Sequence, residues 1–223
     1  QSLGAEVELG GHDLPRIARA SLVVVSPGVP PGAPPLVSAR AAGVEVISEV
    51  ELALAVLPGL RYIAVTGTNG KTTVTALIAH LLRSVGVEAE SAGNIGTPLS
   101  ELALRRTLPA WVALELSSFQ LHDTPSIAPR VGVLTNLAPD HLDRYESVDA
   151  YYADKALLFR HATDASQWIV NADDAAVMAM VRDVPGTTFR FSASGRLCDA
   201  FLGGKGKRHL IVHDEMLMTR EEL

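Results

Sequence analysis

The run Tyr62-Ile-Ala-Val-Thr-Gly-Thr-Asn-Gly-Lys-Thr-Thr73 decides how this chain is read. An apolar, strand-like stretch enters a turn containing Gly67 and Gly70, and Lys71-Thr72-Thr73 then open a segment with helical spacing. Val74, Leu77, Ile78, Leu81, Leu82 and Val85 fall at i, i+3, i+4, i+7, i+8 and i+11, and Gly86 supplies a stop. Strand, glycine turn and helix in that order make an anion cradle. Glycines let backbone N–H groups close around phosphate oxygens, and the helix start adds positive potential. Lys71 is then placed for the outer phosphates and the Thr72 hydroxyl for Mg²⁺. The usual phosphate-loop pattern has glycine six positions before its lysine, where this chain has Val65. The structural alternative, a glycine turn with a capping threonine, leaves the Gly-Lys-Thr order unexplained.

Outward from this unit, short apolar runs alternate with helical patterns. Strands are expected at Leu22–Val25, Val44–Ile47, Tyr62–Val65, Trp111–Glu115, Val131–Thr135 and Trp168–Val170. Helices are expected near Pro35–Ala42, Glu49–Leu57, Thr72–Val85, Thr97–Arg106, Val148–His161 and Asp173–Val181. That rhythm predicts βαβ units, hence a doubly wound α/β fold with a mostly parallel sheet and helices on both faces. Thr188–Phe191, Leu210–His213 and Met216–Thr219 have no helix between them and read as antiparallel hairpins at one edge. Pro58-Gly59 marks the expected domain boundary, separating residues 1–57 from 58–223.

Composition excludes several classes. Of 223 residues, 48% are hydrophobic and 20% charged, which is the balance of a folded globular protein. With 19 basic against 25 acidic residues the net charge is −6, a poor endowment for gripping nucleic acid. No apolar run reaches the ~18 residues of a membrane span. The single cysteine, Cys198, rules out an internal disulfide. Neither a signal peptide nor an Asn-x-Ser/Thr acceptor is evident, so the cytoplasm is the expected location. The chain opens on Gln1-Ser2-Leu3 and is expected to begin inside a longer protein.

Other chemistry collects after the apolar runs. Asn69, Asn94, Asn136 and Asn171 all sit there or in glycine turns, as an active-site rim at the carboxyl ends of parallel strands requires. For Asn171 a helix N-cap is the preferred reading. Glu115 ends Trp111-Val-Ala-Leu-Glu, where an acid beside a phosphate loop serves as a Mg²⁺ ligand, or forms a structural salt bridge. Ser117, Ser118 and Gln120 follow as a polar cluster. His141 differs from the other histidines in lying between Asp140 and Asp143 at a strand exit, a set that suits Mg²⁺ or Mn²⁺. Lys155 falls on the apolar stripe of Val148, Tyr151, Tyr152, Leu158 and Phe159. An inward ammonium must snorkel, pair, or be chemically altered, for instance by CO₂ to an anionic carbamate.

Taken together, Gly67-Thr-Asn-Gly-Lys-Thr-Thr73, Gly93-Asn-Ile-Gly-Thr-Pro98, Glu115-Leu-Ser-Ser-Phe-Gln-Leu121, Asn136-Leu-Ala-Pro-Asp-His-Leu-Asp-Arg-Tyr145, Tyr152-Ala-Asp-Lys155 and Asn171-Ala-Asp-Asp174 resemble the Mur ligases in order and spacing. The resemblance covers almost the whole chain, and Glu-Leu-Ser-Ser-Phe-Gln-Leu is similar to the D-glutamate-adding branch. It implies that Gly67, Thr68, Asn69, Gly70, Lys71, Thr72 and Thr73 bind ATP. It implies Mg²⁺ held by Thr72, Glu115, His141 and a carbamylated Lys155, with Lys71, His141 and Lys155 as catalytic residues. Asn94, Ser117 and Gln120 would meet the muramoyl-alanine end of the acceptor, and Gly28 would lie near the uridine nucleotide. The implied reaction is ATP-dependent addition of D-glutamate to UDP-N-acetylmuramoyl-L-alanine, through an acyl phosphate, in peptidoglycan precursor synthesis. The implied partners are small molecules alone, with neither nucleic acid nor membrane, and the full-length protein is expected to be a monomer. Residues 1–57 would then be part of the uridine-nucleotide domain and 58–223 the ATP-binding central domain. The D-glutamate domain would lie outside this chain, so a fragment is expected. A sister ligase such as folylpolyglutamate synthase, and a non-catalytic nucleotide-binding module, are the alternatives.

Overall fold

The computed structural model describes residues 4–203, 209–212 and 215–219. A short helix α1 (Leu14–Ile17) leads to β1 (Val23–Val25), α2 (Pro34–Ala41), β2 (Val46–Ser48) and α3 (Glu49–Val56). There follow β3 (Tyr62–Thr66), α4 (Lys71–Ser84), β4 (Ala89–Gly93), α5 (Leu99–Leu102), β5 (Trp111–Glu115), α6 (Ser118–His122) and β6 (Val131–Leu134). Helix α7 (Val148–Ala156) runs on into a 3₁₀ turn at Leu157–Phe159, and β7 (Gln167–Asn171), α8 (Ala175–Met180) and β8 (Thr187–Ser192) come next. The last strands are β9 (Ala200–Gly203), β10 (His209–Val212) and β11 (Glu215–Thr219).

β1 and β2 pair in parallel as a separate two-stranded sheet. The remaining nine strands form one sheet in the order β11-β10-β9-β8-β7-β6-β3-β5-β4. From β4 through to β9 every neighbouring pair is parallel, and β10 and β11 are antiparallel. The doubly wound expectation therefore holds. β3 lies between β5 and β6, so the loops leaving these three strands share one edge, the crevice that open α/β sheets offer to ligands.

Alternation along the strands sorts the core. Ala64, Val112, Leu114, Leu134, Trp168 and Val170 face Val50 and Ala53 of α3, Leu99 and Leu102 of α5, Leu158, Phe159 and Val177 of α8. The other face of β3, β4 and β5 carries α4, which sets its buried Thr75 and Ala79 against the sheet. Helix α3 is tied to this core by polar bonds too. Glu49 accepts from Ser100 N, and Glu51 accepts from Ser126 N at 3.1 Å and Ser126 Oγ at 2.8 Å.

Several expectations are corrected. β8 is no hairpin arm but a parallel strand beside β7, because α8 supplies a crossover; only β9, β10 and β11 pair as antiparallel neighbours. His213 lies outside the described residues. β4 and α6 appear where no element was expected: Ala-Glu-Ser-Ala-Gly lacks β-branched residues, and Ser-Phe-Gln-Leu-His is too short to show a period. The helix expected over 97–106 shortens to α5. The α4 stripe is also displaced. The sheet-facing residues are one position on from Val74 and Ile78, leaving Leu77 48%, Leu81 50% and Val85 74% exposed. Small side chains at 75 and 79 let the helix lie close to β4 and β5, and the preceding turn fixes its rotation.

Candidate active site

The glycine turn after β3 is built by the backbone. Gly67 has φ of 143°, and a Cβ there would collide with Thr135 Oγ1. Gly70, at φ of 80°, is the left-handed N-cap of α4. Beneath the turn, Asn136 and Asn69 bond reciprocally: Asn69 N donates to Asn136 Oδ1 at 2.9 Å, and Asn136 Nδ2 to Asn69 O at 2.9 Å. Thr135 Oγ1 also donates to Asn69 O at 2.7 Å, and Thr68 N to Asn136 O at 2.9 Å. The amides of Thr68 and Asn69 thus point into the fold. Those of Gly70 to Thr73 precede the first bond of the helix, Val74 N to Gly70 O at 3.0 Å, and are the ones free to meet an anion. Thr68 Oγ1 is spent on Ala138 and Tyr151.

Two ammonium groups converge on one carbonyl. Lys71 Nζ donates to Gly67 O at 3.1 Å and Thr68 O at 2.8 Å, and Lys155 Nζ donates to the same Gly67 O at 2.7 Å. Lys155 is 1% exposed, stands 4.6 Å from the Tyr151 ring centroid, and shares the buried side of α7 with Tyr151. Burial, then repulsion from Lys71, lowers its pKa to about 7, against smaller opposing contributions from Asp140 and Asp154. Among the described residues neither lysine is ion-paired. Two lysine amines without an ion-pair partner, beside free helix amides, are electrostatically incomplete and suit phosphate.

Across the crevice Glu115, at 1% exposure, ends β5. Its Oε1 accepts from Asn94 Nδ2 at 2.9 Å, while Oε2 is buried with no hydrogen-bond partner. An orphaned carboxylate oxygen fits a cation. Among the described residues no three His, Cys, Asp or Glu side chains converge to hold a metal by themselves. Phosphate oxygens, the Thr72 hydroxyl or a modified Lys155 must complete any such shell. His141 sits on the loop after β6 in the left-handed region, with φ of 53°, its ring tilted on Phe119 and edge-on to Tyr151.

The polar cluster after β5 is largely turned on itself. Ser117 caps α6 with Gln120 in a reciprocal box: Gln120 N donates to Ser117 Oγ at 3.2 Å, and Gln120 Oε1 accepts from Ser117 N at 3.0 Å. Gln120 Nε2 is buried and unpartnered, and so is left for another molecule. Gln120 lines a small cavity with Ser26, Pro27 and Val29, the residues on either side of Gly28. Asn171 is no N-cap. Asp174 caps α8 through Ala176 N and Val177 N, and Asn171 Nδ2 donates to Thr135 O at 3.1 Å. Sequence reasoning missed the contributions of Thr135, Tyr151 and Asp154; a β-branched or aromatic residue on an apolar stripe gives no sign of a polar task.

The profile of the Mur ligase middle domain matches residues 65–206. The UDP-N-acetylmuramoylalanine–D-glutamate ligase of Desulfatibacillum aliphaticivorans is 44% identical over 192 residues, covering 86% of this chain and 42% of that protein. The ligase of the same name from Syntrophotalea carbinolica is 42% identical over 208 residues, covering 93% and 45%. The chain thus spans less than half the length of these curated relatives. Among solved structures, the UDP-N-acetylmuramate:L-alanyl-γ-D-glutamyl-meso-diaminopimelate ligase from Neisseria meningitides superposes with TM-score 0.63 at 18% identity, over 95% of this chain and 74% of that one. The MurF ligase from Thermotoga maritima in complex with ADP gives 0.59 at 19% identity, over 82% and 50%. No described helix is long and apolar enough to cross a membrane. By the extent of the domain match, and with the fold and phosphate loop in agreement, the chain belongs to the Mur ligase family.

Proposed function

We propose that the edge formed by β3, β5 and β6 is the ATP end of an amide ligase that adds D-glutamate to UDP-N-acetylmuramoyl-L-alanine. The observation that carries this reading is the convergence of Lys71 Nζ and Lys155 Nζ on Gly67 O, just past β3, with an orphaned carboxylate oxygen of Glu115 at the end of the neighbouring β5. A free carboxylate is a poor electrophile. Its oxygen attacks the γ-phosphorus of ATP, the bond to the β-phosphate oxygen breaks, and ADP leaves. The D-glutamate amine then attacks the acyl carbon, gives up a proton, and inorganic phosphate departs.

The chain's own residues bind and orient. Lys71 exchanges the carbonyls of Gly67 and Thr68 for the outer phosphates, and the Gly70–Thr73 amides hold the oxygens between. Thr72, Glu115, His141 and carbamylated Lys155 would hold Mg²⁺ or Mn²⁺, which when bound offsets charge on the phosphates and the developing oxyanion. A lysine with a pKa of about 7 has enough free amine at neutral pH to add CO₂. The carbamate would turn its repulsion from Lys71 into attraction. Asn94 Nδ2 holds Glu115 Oε1, which leaves Oε2 as the oxygen for a cation. Gln120 Nε2 and the Gly28 loop would contact the acceptor. We assign residues 1–57 to the uridine-nucleotide part and 58–223 to the ATP-binding part of a cytoplasmic, monomeric enzyme with small-molecule partners.

The test is ADP release by the full-length protein with UDP-N-acetylmuramoyl-L-alanine and D-glutamate, together and singly, beside a glutamyl-folate acceptor. Release that requires both muramoyl-alanine and D-glutamate supports the reading. Release with the folate alone, or without any acceptor, overturns it.

A further inference from the structure

Asp154 breaks local rules. It occupies the last turn of α7, where the helix dipole disfavours an anion and aspartate is a weak helix former. Its side chain is largely buried, and both oxygens are engaged across the fold: His122 Nδ1 lies 2.9 Å from Oδ1, and Tyr145 OH donates to Oδ2 at 2.8 Å. His122 ends α6, and next to it Asp123 receives Arg40 Nη2 at 3.0 Å. Tyr145 stacks on Phe119 of the same helix, with centroids 5.3 Å apart and planes 12° from parallel. It also closes the turn that begins at His141, since Tyr145 N donates to His141 O at 3.1 Å. A non-glycine residue at φ of 53° stays there only if its surroundings hold it.

We propose that Asp154 is a positioning residue that clamps three parts of the site: α7 with Lys155, the His141 turn, and α6 with Ser117 and Gln120. This rests on the ligase reading above. The clamp acts through Tyr145. Without it, Tyr145 loses its anchor, the strained His141 conformation relaxes, and α6 and α7 lose their only charged link among the described residues. A carboxylate is suited to this because it accepts two bonds at fixed divergence, and partial burial strengthens both.

The experiment compares Asp154→Ala, Asp154→Asn, Tyr145→Phe and the Asp154→Ala/Tyr145→Phe double variant in the full-length protein. Two measurements are made on each: steady-state kinetics and amide hydrogen exchange over residues 141–145. Asp154→Ala and Tyr145→Phe should each lower kcat by about tenfold or more, as misplacement of reacting groups does, while the KM for ATP stays within about twofold. The double variant should be no worse than Asp154→Ala, because both remove one linkage. Asparagine can accept from Tyr145 and donate to a neutral His122, so Asp154→Asn should recover most of kcat. Exchange over 141–145 should quicken in the alanine and phenylalanine variants and return in asparagine. Tyr145→Phe deletes one hydroxyl and keeps the test sound if the alanine variant folds poorly. Unchanged kcat in Tyr145→Phe, losses that multiply in the double variant, or unchanged exchange would each overturn the clamp. A wild-type protein that forms no amide removes the ligase reading, and the exchange data then still decide whether Asp154 holds the turn.

Discussion

The phosphate loop and the α6–α7 corner lie side by side but are made in opposite ways. The loop is backbone: two left-handed glycines, one turn, one helix start, with Asn136 and Thr135 bracing it from below. The corner is side chains brought together from distant positions, Phe119, His122, His141, Tyr145, Tyr151 and Asp154, held by ring contacts and one carboxylate. Backbone sites fail abruptly, because a single Cβ has nowhere to go. Side-chain sites should fail by degrees.

The largest effect should come from the loop. Lys71→Ala removes the mobile cation and should lower ligation by at least about a hundredfold, the scale seen when one charge-stabilising donor is lost. Its thermal stability should be no lower than wild type, because the loss of two bonds to loop carbonyls is offset by relief of the repulsion on Lys155. Gly67→Ala should instead lose nucleotide binding and stability together, by about 2–3 kcal/mol, since its Cβ meets Thr135 and its backbone is strained for any other residue. Isothermal titration with a non-hydrolysable ATP analogue, run beside thermal melts, separates the two. A Gly67→Ala protein that binds normally would show that the loop is not the backbone cradle described here.

Lys155 stands between the two regions, and pH sharpens the comparison. Its pKa is about 7 in the fold against an ordinary 10.5, so between those values the unfolded chain holds more proton than the folded one. Stability must therefore rise with pH across that window, and the cost of the buried ammonium is fully felt below it. In CO₂-free buffer Lys155→Met should be more stable than wild type by a few kcal/mol near pH 7, the advantage fading toward pH 10.5. The same variant should be inactive. Melting curves at several pH values check this; an advantage that grows with pH would mean the lysine is charged and satisfied where it lies.

How much of this was legible follows the same division. The order strand, glycine turn, Lys71 and helix is local, and so is the alternation that gave the parallel sheet. Glu115 was visible because a strand end is a recognisable place, and Lys155 because a cation on an apolar stripe violates the pattern. Asp154 breaks only a weak rule, an acid late in a helix, and beside a buried lysine it looks like a solvated neighbour; its partner His122 lies 32 residues away in the chain. The exposed α4 stripe has the converse cause. Periodicity located the apolar arc, whereas its rotation was fixed by the turn at Gly70 and by small side chains at Thr75 and Ala79.

The smallest effect should come from Ser117, at the joint between the regions. Its hydroxyl accepts from Gln120 N and donates to Gln120 Oε1 at 3.0 Å, so one atom both caps α6 and orients the Gln120 amide. Ser117→Ala removes the cap but leaves Ser117 N on Oε1, a loss of about 1 kcal/mol. The amide of Gln120 should then sample its flipped orientation, directing oxygen where Nε2 pointed. The acceptor should bind more weakly as a result, while the nucleotide, held by the loop backbone, should not notice. Ser117→Thr keeps the hydroxyl and should restore both stability and acceptor KM. The measurement is KM for each substrate with a melting curve on each variant. A rise in KM for ATP, with the acceptor unaffected, would place Ser117 on the nucleotide side and erase the distinction between the loop and the corner.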